Sequence, residues 1–278
     1  MKRLFFLIGL LALVQGAWAQ KYFGVPDLNK GWGIGIGTGL MTLNGDVRAF
    51  GPGYAGEIWI QRKTSRVEDA KVSLSSGINY GLDLSPSRNI LYNPAMNGTY
   101  NPAIAYDTIN PLVFHNYRHW GNQAAFSLRF NLNRMVIREG ADNWDLYVSA
   151  GIAAYFYNAK SDLTNQQGSI YDYATIGTGT QGEIANRLTN LLDGTYESFA
   201  QNEAFLKPVV SNFIVNSSLP LAAGVYFRTG DNWGLGLEAQ YILSQDDLLD
   251  GQMWDKQNQL STDKDAIGRA FFVLGYHW

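Results

Sequence analysis

The chain has 278 residues, 46% hydrophobic, 16% charged and 14% aromatic, with 30 glycines and no cysteine. Disordered chains and coiled coils need low hydrophobicity or an abundance of Ala, Glu, Lys and Leu, so both are excluded. Without cysteine there are no disulfides, thiolate metal sites, iron–sulfur clusters or cysteine nucleophiles. The formal charge of −3 falls on no cluster of Lys and Arg, which counterion-driven binding to nucleic acid requires, so no nucleic-acid partner is expected.

Residues 1–20 begin with Lys2 and Arg3, continue through an apolar run from Leu4 to Val14, and reach Ala17-Trp18-Ala19 before Gln20. A basic start, an apolar middle and an A-x-A site predict a secretory signal peptide over 1–19, with the working domain over 20–278. The apolar run is too short for a membrane-spanning helix. A lipoprotein is not expected, because no cysteine follows the signal.

Beyond it, apolar and polar residues alternate with a period of two, the mark of a strand with two unlike faces. The first such segment, 32–42, sets Trp32, Ile34, Ile36, Thr38 and Leu40 against Gly33, Gly35, Gly37 and Gly39. Seven more are expected at 54–63, 70–82, 122–134, 144–158, 218–229, 233–244 and 267–278. The second is the least regular, since Trp59 falls on its polar face beside Glu57 and Gln61. Several segments exceed ordinary strand length and match the reach of a tilted membrane strand. The odd-numbered connections are long and the even-numbered ones short, as in outer-membrane barrels with long outer loops and short periplasmic turns. The expected fold is therefore all-β, an eight-stranded antiparallel transmembrane barrel in the cell outer membrane, in contact with its lipid. Trp32, Trp144, Trp233 and Trp278 would all lie at the periplasmic ends of strands, as one aromatic girdle.

Eight strands enclose a lumen that side chains fill. The inward face offers Glu57, Lys71, Arg129, Arg228 and Glu238, read as a polar plug of paired charges. Histidine chemistry is limited to His115, His119 and His277. A lipid hydrolase would need His119 to approach Ser127, and no G-x-S-x-G motif occurs, so no enzymatic activity is expected. Asp246, Asp247, Asp250 and Asp255 lack the ligand spacing of a calcium loop and are read as solvated. No metal or cofactor is expected.

Of the outer connections, the third carries Asn93-Pro94, Asn101-Pro102 and Asn110-Pro111, three turn signals that predict a ribbon of turns. The fifth carries Thr180-x-x-Glu183, a capping-box pattern, followed by Ile184, Leu188, Leu191 and Leu192 at helical spacing. That stripe would pack over the barrel mouth or meet a partner. A second short helix is expected over 195–206.

Several stretches resemble small outer-membrane barrels of Bacteroidetes: Leu219–Phe227, Asp231–Tyr241 and Gln245–Asp250 resemble the closing pattern of that group. Leu43-Asn44-Gly45-Asp46-Val47 is similar to its turn after the first strand, and Thr180-Gln181-Gly182-Glu183 to a stretch before the sixth. The group includes the PorG-like component of the type IX secretion system and the barrel half of OmpA-like proteins. The resemblance implies a non-catalytic subunit or docking platform of a cell-envelope assembly related to type IX secretion, with protein partners in that complex. A surface-binding or adhesive barrel acting through its outer loops is the alternative, and a lipid hydrolase a third reading. The terminal Phe272, Leu274, Tyr276 and Trp278 look like a barrel-assembly signal.

Overall fold

The computed structural model describes residues 31–47, 49–88, 90, 93–99, 101–106, 112–136, 143–199, 209–210, 212–229, 232–253 and 264–278. The expected signal peptide lies outside the described residues.

Eight long strands form the wall: β1 (Trp32–Asn44), β2 (Gly53–Lys63), β3 (Glu68–Leu82), β4 (Asn116–Asn131), β5 (Trp144–Ser161), β6 (Phe213–Thr229), β7 (Trp233–Ser244) and β8 (Ala266–His277). Each pairs antiparallel with its chain neighbours, and β8 returns to β1 from Gly33↔His277 to Asn44↔Ala266. The sheet is therefore closed, and no strand edge is left to be satisfied in lipid. Trp32 and Trp278 complete the closure by exchanging backbone hydrogen bonds. Two short pairings, Ser198–Phe199 on β5 and Val209–Val210 on β6, extend the wall at its upper end.

The register sets the barrel's shape. Followed from partner to partner, the path from Trp32 runs through Arg62, Ala70, Leu128, Ala150, Leu221, Tyr241 and Gly268 and returns to β1 at Thr42. Since 42 − 32 = 10, the shear is ten, which for eight strands means a tilt of about 40°. Height then changes by about 2.5 Å per residue and about 3 Å per strand. On that geometry Trp32, Trp144, Trp233 and Trp278 lie within about 3 Å of one plane. Tyr54, Tyr80 and Trp120 lie about 23–31 Å above it. Between the two levels the outward side chains are apolar and exposed, including Ile34, Ile58, Leu74, Phe126 and Ile152.

β7 alternates strictly between exposed and buried, and β1 does so except at Gly39, which is half-buried, as the period-two reading requires. The inward glycines of β1 have a steric purpose: a Cβ on Gly35 would collide with the Trp59 indole, and one on Gly33 with the His277 ring. Trp59 belongs to the lumen, 4% exposed, and fills the room that the glycines leave.

Four expectations are corrected. β4 runs from Asn116 to Asn131 instead of 122–134. It rises above the apolar belt, where hydropathy no longer alternates, and stops where Leu132–Val136 forms a single helical turn, α1. That turn is pinned by Asn133, whose Nδ2 donates to Trp144 O at 2.7 Å and whose Oδ1 accepts from Leu146 N at 3.1 Å. β6 likewise begins at Phe213, five residues before 218. The expected helix over 195–206 is absent in its described part, where Ser198–Phe199 pairs with β5; residues 200–206 lie outside the described residues. The upper-end connection 45–52 is short, and the lower-end connection 132–143 exceeds it; the long connections 83–115, 162–212 and 245–265 all lie at the upper end.

β6 carries Pro220 in mid-strand. Its pairing with β5 stops at Ala150↔Leu221 and resumes at Ala153↔Ser218, because proline has no N–H to give. The register across the gap is unchanged.

Candidate functional site: the filled lumen and the outer loop layer

The lumen is packed in tiers. At the lower mouth Arg134 grips Asp145 bidentately, Nε–Oδ1 2.5 Å and Nη2–Oδ2 3.0 Å. Arg129 stacks on the Tyr147 ring at 3.5 Å and lies 3.8 Å from Asp145 and 3.9 Å from Asp69. One tier higher, Lys71 Nζ sits between Glu57 Oε1 at 2.5 Å and Glu238 Oε1 at 3.2 Å, and the Tyr147 hydroxyl donates to Glu238 Oε2 at 2.8 Å. Above these, Arg269 Nη1 donates to Ser75 Oγ at 2.7 Å and Gln123 Oε1 at 3.2 Å. Buried charges are tolerated when paired and hydrogen-bonded in this way.

Four of the five residues expected in the plug, Glu57, Lys71, Arg129 and Glu238, are buried inside. Arg228 joins them at the rim of the plug, sharing the inward parity of Tyr226. Its side chain is 33% exposed at the lower mouth, 3.6 Å from Asp145, because it lies one residue from the end of β6. Arg269, Asp69, Asp145 and Arg134 join the plug without having been expected there. Arg269 shares a parity with Phe271 and Val273, so its strand reads as apolar on both faces. Arg134 reaches the lumen only because α1 turns it back.

His119 is fully buried in the upper lumen. Its Nδ1 lies 2.7 Å from Leu249 O and its Nε2 2.7 Å from the Tyr155 hydroxyl. A carbonyl only accepts, so Nδ1 carries the proton, and in the neutral ring Nε2 accepts from Tyr155. Ser127 is eight residues along the same strand, about 26 Å away. The pair that a hydrolase would need does not assemble.

The outer loops fold together. Residues of 83–115, including Ile90, Met96, Tyr106 and Phe114, share one buried cluster with Leu163, Tyr173, Ile176 and Leu188 of 162–212. Tyr106 donates to Leu163 O at 2.7 Å, and Asn116 and Asp162 exchange two hydrogen bonds. The turn signals act as read: Asn93 Oδ1 accepts from Ala95 N, and Asn101 Oδ1 from Ala103 N. Asn110-Pro111 lies outside the described residues. Helix α2 (Gln181–Leu191) starts at Thr180 with both bonds of a capping box to Glu183. Of its stripe, Leu188 is fully buried in the loop cluster, and Ile184, Leu191 and Leu192 pack against it. The stripe is held by its own loops, and the opposite face of α2 is the exposed one.

The described parts of the connection 245–265, residues 245–253 and 264–265, close the upper mouth. Leu248 and Leu249 are buried in the lumen cluster, Asp250 Oδ2 accepts from Val47 N at 2.7 Å, and Asp265 Oδ2 accepts from Leu249 N at 2.6 Å. Asp246 and Asp250 are buried, correcting the solvated reading; Asp255 lies outside the described residues. Burial raises Asp250 to about 7 and Asp265 to about 10, with neighbouring carboxylates adding to both shifts. Among the described residues, no group of three or more His, Asp or Glu could hold a metal.

A closed barrel, apolar outside and polar inside, is an outer-membrane barrel, with its apolar belt in the lipid of that membrane. No family model matches the chain, and no curated protein does. Among solved structures, it is similar to Ail, the attachment invasion locus protein of Yersinia pestis, at 10% identity and TM-score 0.41, with 90% of this chain and 99% of that one covered. It is similar to Neisserial surface protein A at 10% identity and TM-score 0.41, covering 89% and 97%. The outer membrane enzyme PagL matches at 9% identity and TM-score 0.27, covering 88% and 97%. These are likenesses of architecture, and nothing about activity follows from them.

Proposed function

We propose that this barrel is non-catalytic and serves as a subunit or docking platform of a cell-envelope assembly, the outer loop layer being its working surface. The observation that carries the reading is the buried cluster shared by 83–115 and 162–212, which gives the loops a fixed shape of their own. Loops that merely connect strands have no need of such a core. Catalysis is disfavoured by the separation of His119 from Ser127 and by the engagement of both imidazole nitrogens. The assembly we name is type IX protein secretion, on the strength of the resemblance carried by Leu219–Phe227, Asp231–Tyr241 and Gln245–Asp250.

The test is capture of the full barrel in mild detergent, compared with a variant in which 163–197 is replaced by a short Gly-Ser turn. Loss of large envelope subunits from the variant supports the platform. Identical recovery from a barrel that still closes overturns it. Normal secretion in a strain lacking the gene removes the type IX version.

A second reading, a surface-binding or adhesive barrel, is favoured by where the folded material lies. Among the described residues, the lower end offers a partner little beyond the connection 64–67 and the turn α1. Binding of the barrel to cells, lost on the same replacement, would select this reading.

A further inference from the structure

Around the outer rim, Tyr80, Arg118, Lys160 and Phe199 stand abreast on neighbouring strands. Arg118 and Lys160 share the parity of the exposed Trp120 and Ile152, so both side chains leave the wall on its lipid side. Arg118 is two residues, about 5 Å of height, above Trp120. An indole on the lipid face marks the headgroup level, so the two cations sit at headgroup depth.

Like charges directly across a strand pair repel, and a sheet ordinarily avoids or neutralises them. Here the chain surrounds them with rings. The Arg118 guanidinium lies 5.4 Å over Tyr196 and the Lys160 ammonium 5.0 Å over Phe199. Tyr196 takes the left-handed backbone, φ 50°, that side chains rarely adopt, and its ring meets Tyr80 at 5.6 Å. Nearby acids are committed elsewhere. Glu197 Oε1 accepts from Leu163 N, Thr164 N and Thr164 Oγ1, while Asp162 accepts from the Tyr171 hydroxyl and Gly194 N. Among the described residues, no carboxylate forms an ion pair with either cation.

Below Trp120 the wall is indented. A groove of about 630 Å3 opens over Gly56, Ser76 and Asn122, walled by Ile58, Leu74 and Phe156. Small side chains form its floor and large apolar ones its sides.

We propose that Arg118 and Lys160 bind the phosphate of an outer-leaflet lipid, whose tail lies in the groove beneath Trp120. Guanidinium and ammonium together supply a fork of donors and a second positive charge, which suit a phosphate monoester. The aromatic rings hold both cations in place without cancelling them. The groove gives the same ligand an apolar seat that a free anion would not use. This site lies at the rim below the loop layer and shares Tyr196 and Phe199 with the connection 162–212, but it does not rest on the docking role.

The full barrel in nanodiscs would be titrated with phosphatidic acid, with diacylglycerol of the same chains, and with inorganic phosphate. We expect Arg118→Gln with Lys160→Gln to weaken phosphatidic acid binding roughly tenfold, the scale of a lost charge-assisted contact, and to leave diacylglycerol binding unchanged. Arg118→Lys with Lys160→Arg should retain most of the affinity. Equal binding of phosphatidic acid by wild type and the neutral variant overturns the proposal, as does equal loss in the charge-conserving variant. Displacement of the lipid by millimolar inorganic phosphate overturns the lipid as ligand.

Discussion

Lys71 Nζ lies 2.5 Å from Glu57 Oε1, in the middle of a wall whose other face meets lipid. Glu238 approaches the same ammonium from across the lumen, so one cation holds two carboxylates together. Removing the cation leaves two like charges buried side by side. Lys71→Met is expected to cost about 3–5 kcal/mol, the usual penalty for orphaning a buried charge. Adding Glu57→Gln and Glu238→Gln should recover most of it. Urea titration of the folded fraction, read as the heat-modifiable band on a semi-native gel, measures both. Equal stability of Lys71→Met and wild type would contradict the account.

Two glycines of β1 should answer differently to the same change. At Gly35 a Cβ would collide with the Trp59 ring and with Leu274 O, whereas at Gly37 the nearest atom is Phe271 Cβ at 3.5 Å, an ordinary contact. Gly35→Ala is expected to destabilise by about 1–3 kcal/mol, the cost of overpacking. Gly37→Ala should change stability by less than about 0.5 kcal/mol. The urea midpoints of the two variants decide, and a reversed order would refute the steric reading.

The clasp at the upper mouth should respond to pH. Asp250 is raised to about 7 and Asp265 to about 10, each mainly by burial, from unfolded values near 4. The folded form therefore holds protons that the opened form releases, and the clasp weakens as pH rises from about 4 toward about 7 for Asp250, and toward about 10 for Asp265. Hydrogen exchange at Val47 N and Leu249 N, corrected for intrinsic rates, should show greater protection at pH 5 than at pH 8. In Asp250→Asn the pH dependence below about pH 7 should become shallower, losing the Asp250 share and keeping that of Asp265. An unaltered pH dependence in that variant would rule out Asp250 as its source.

The barrel should not conduct. Trp59, Phe271, the Lys71 triad and Arg269 occupy the lumen, and Leu249 with His119 closes it above. Planar-bilayer recordings of the purified protein are expected to show no stable steps, and reproducible open levels would refute this.

The strand count and the closed form were legible because lipid and lumen impose opposite chemistries on alternate residues. Legibility ended where that contrast ended. β4 above Gly121 has aromatic and polar residues on both faces, so Asn116, Tyr117 and His119 gave no alternation to follow. Arg269 was hidden by its apolar neighbours Phe271 and Val273. Asp69 with Asn131, and Asp145 with Arg134, depend on cross-strand registers that period alone does not supply. The loop cluster joins residues such as Tyr106 and Leu188 from separate connections, and a helical stripe reads the same whether it meets a partner or its own chain.

Pro220 gives the cylinder a line of mechanical weakness. The ladder between β5 and β6 is interrupted at mid-height, and the same two strands are joined by the longest connection in the protein, 162–212. Closing a long loop is slow, and here the ladder it brings together is broken beside Pro220. The wall thus divides into a five-strand leaf, 32–161, and a three-strand leaf, 213–277, hinged at β1–β8 by an unbroken ladder and latched at β5–β6 by a gapped one. Lateral tension in the bilayer would open the latch first at its gap, beside Pro220, whereas the hinge, which joins the two ends of the chain, is the seam of greatest sequence separation to close in assembly.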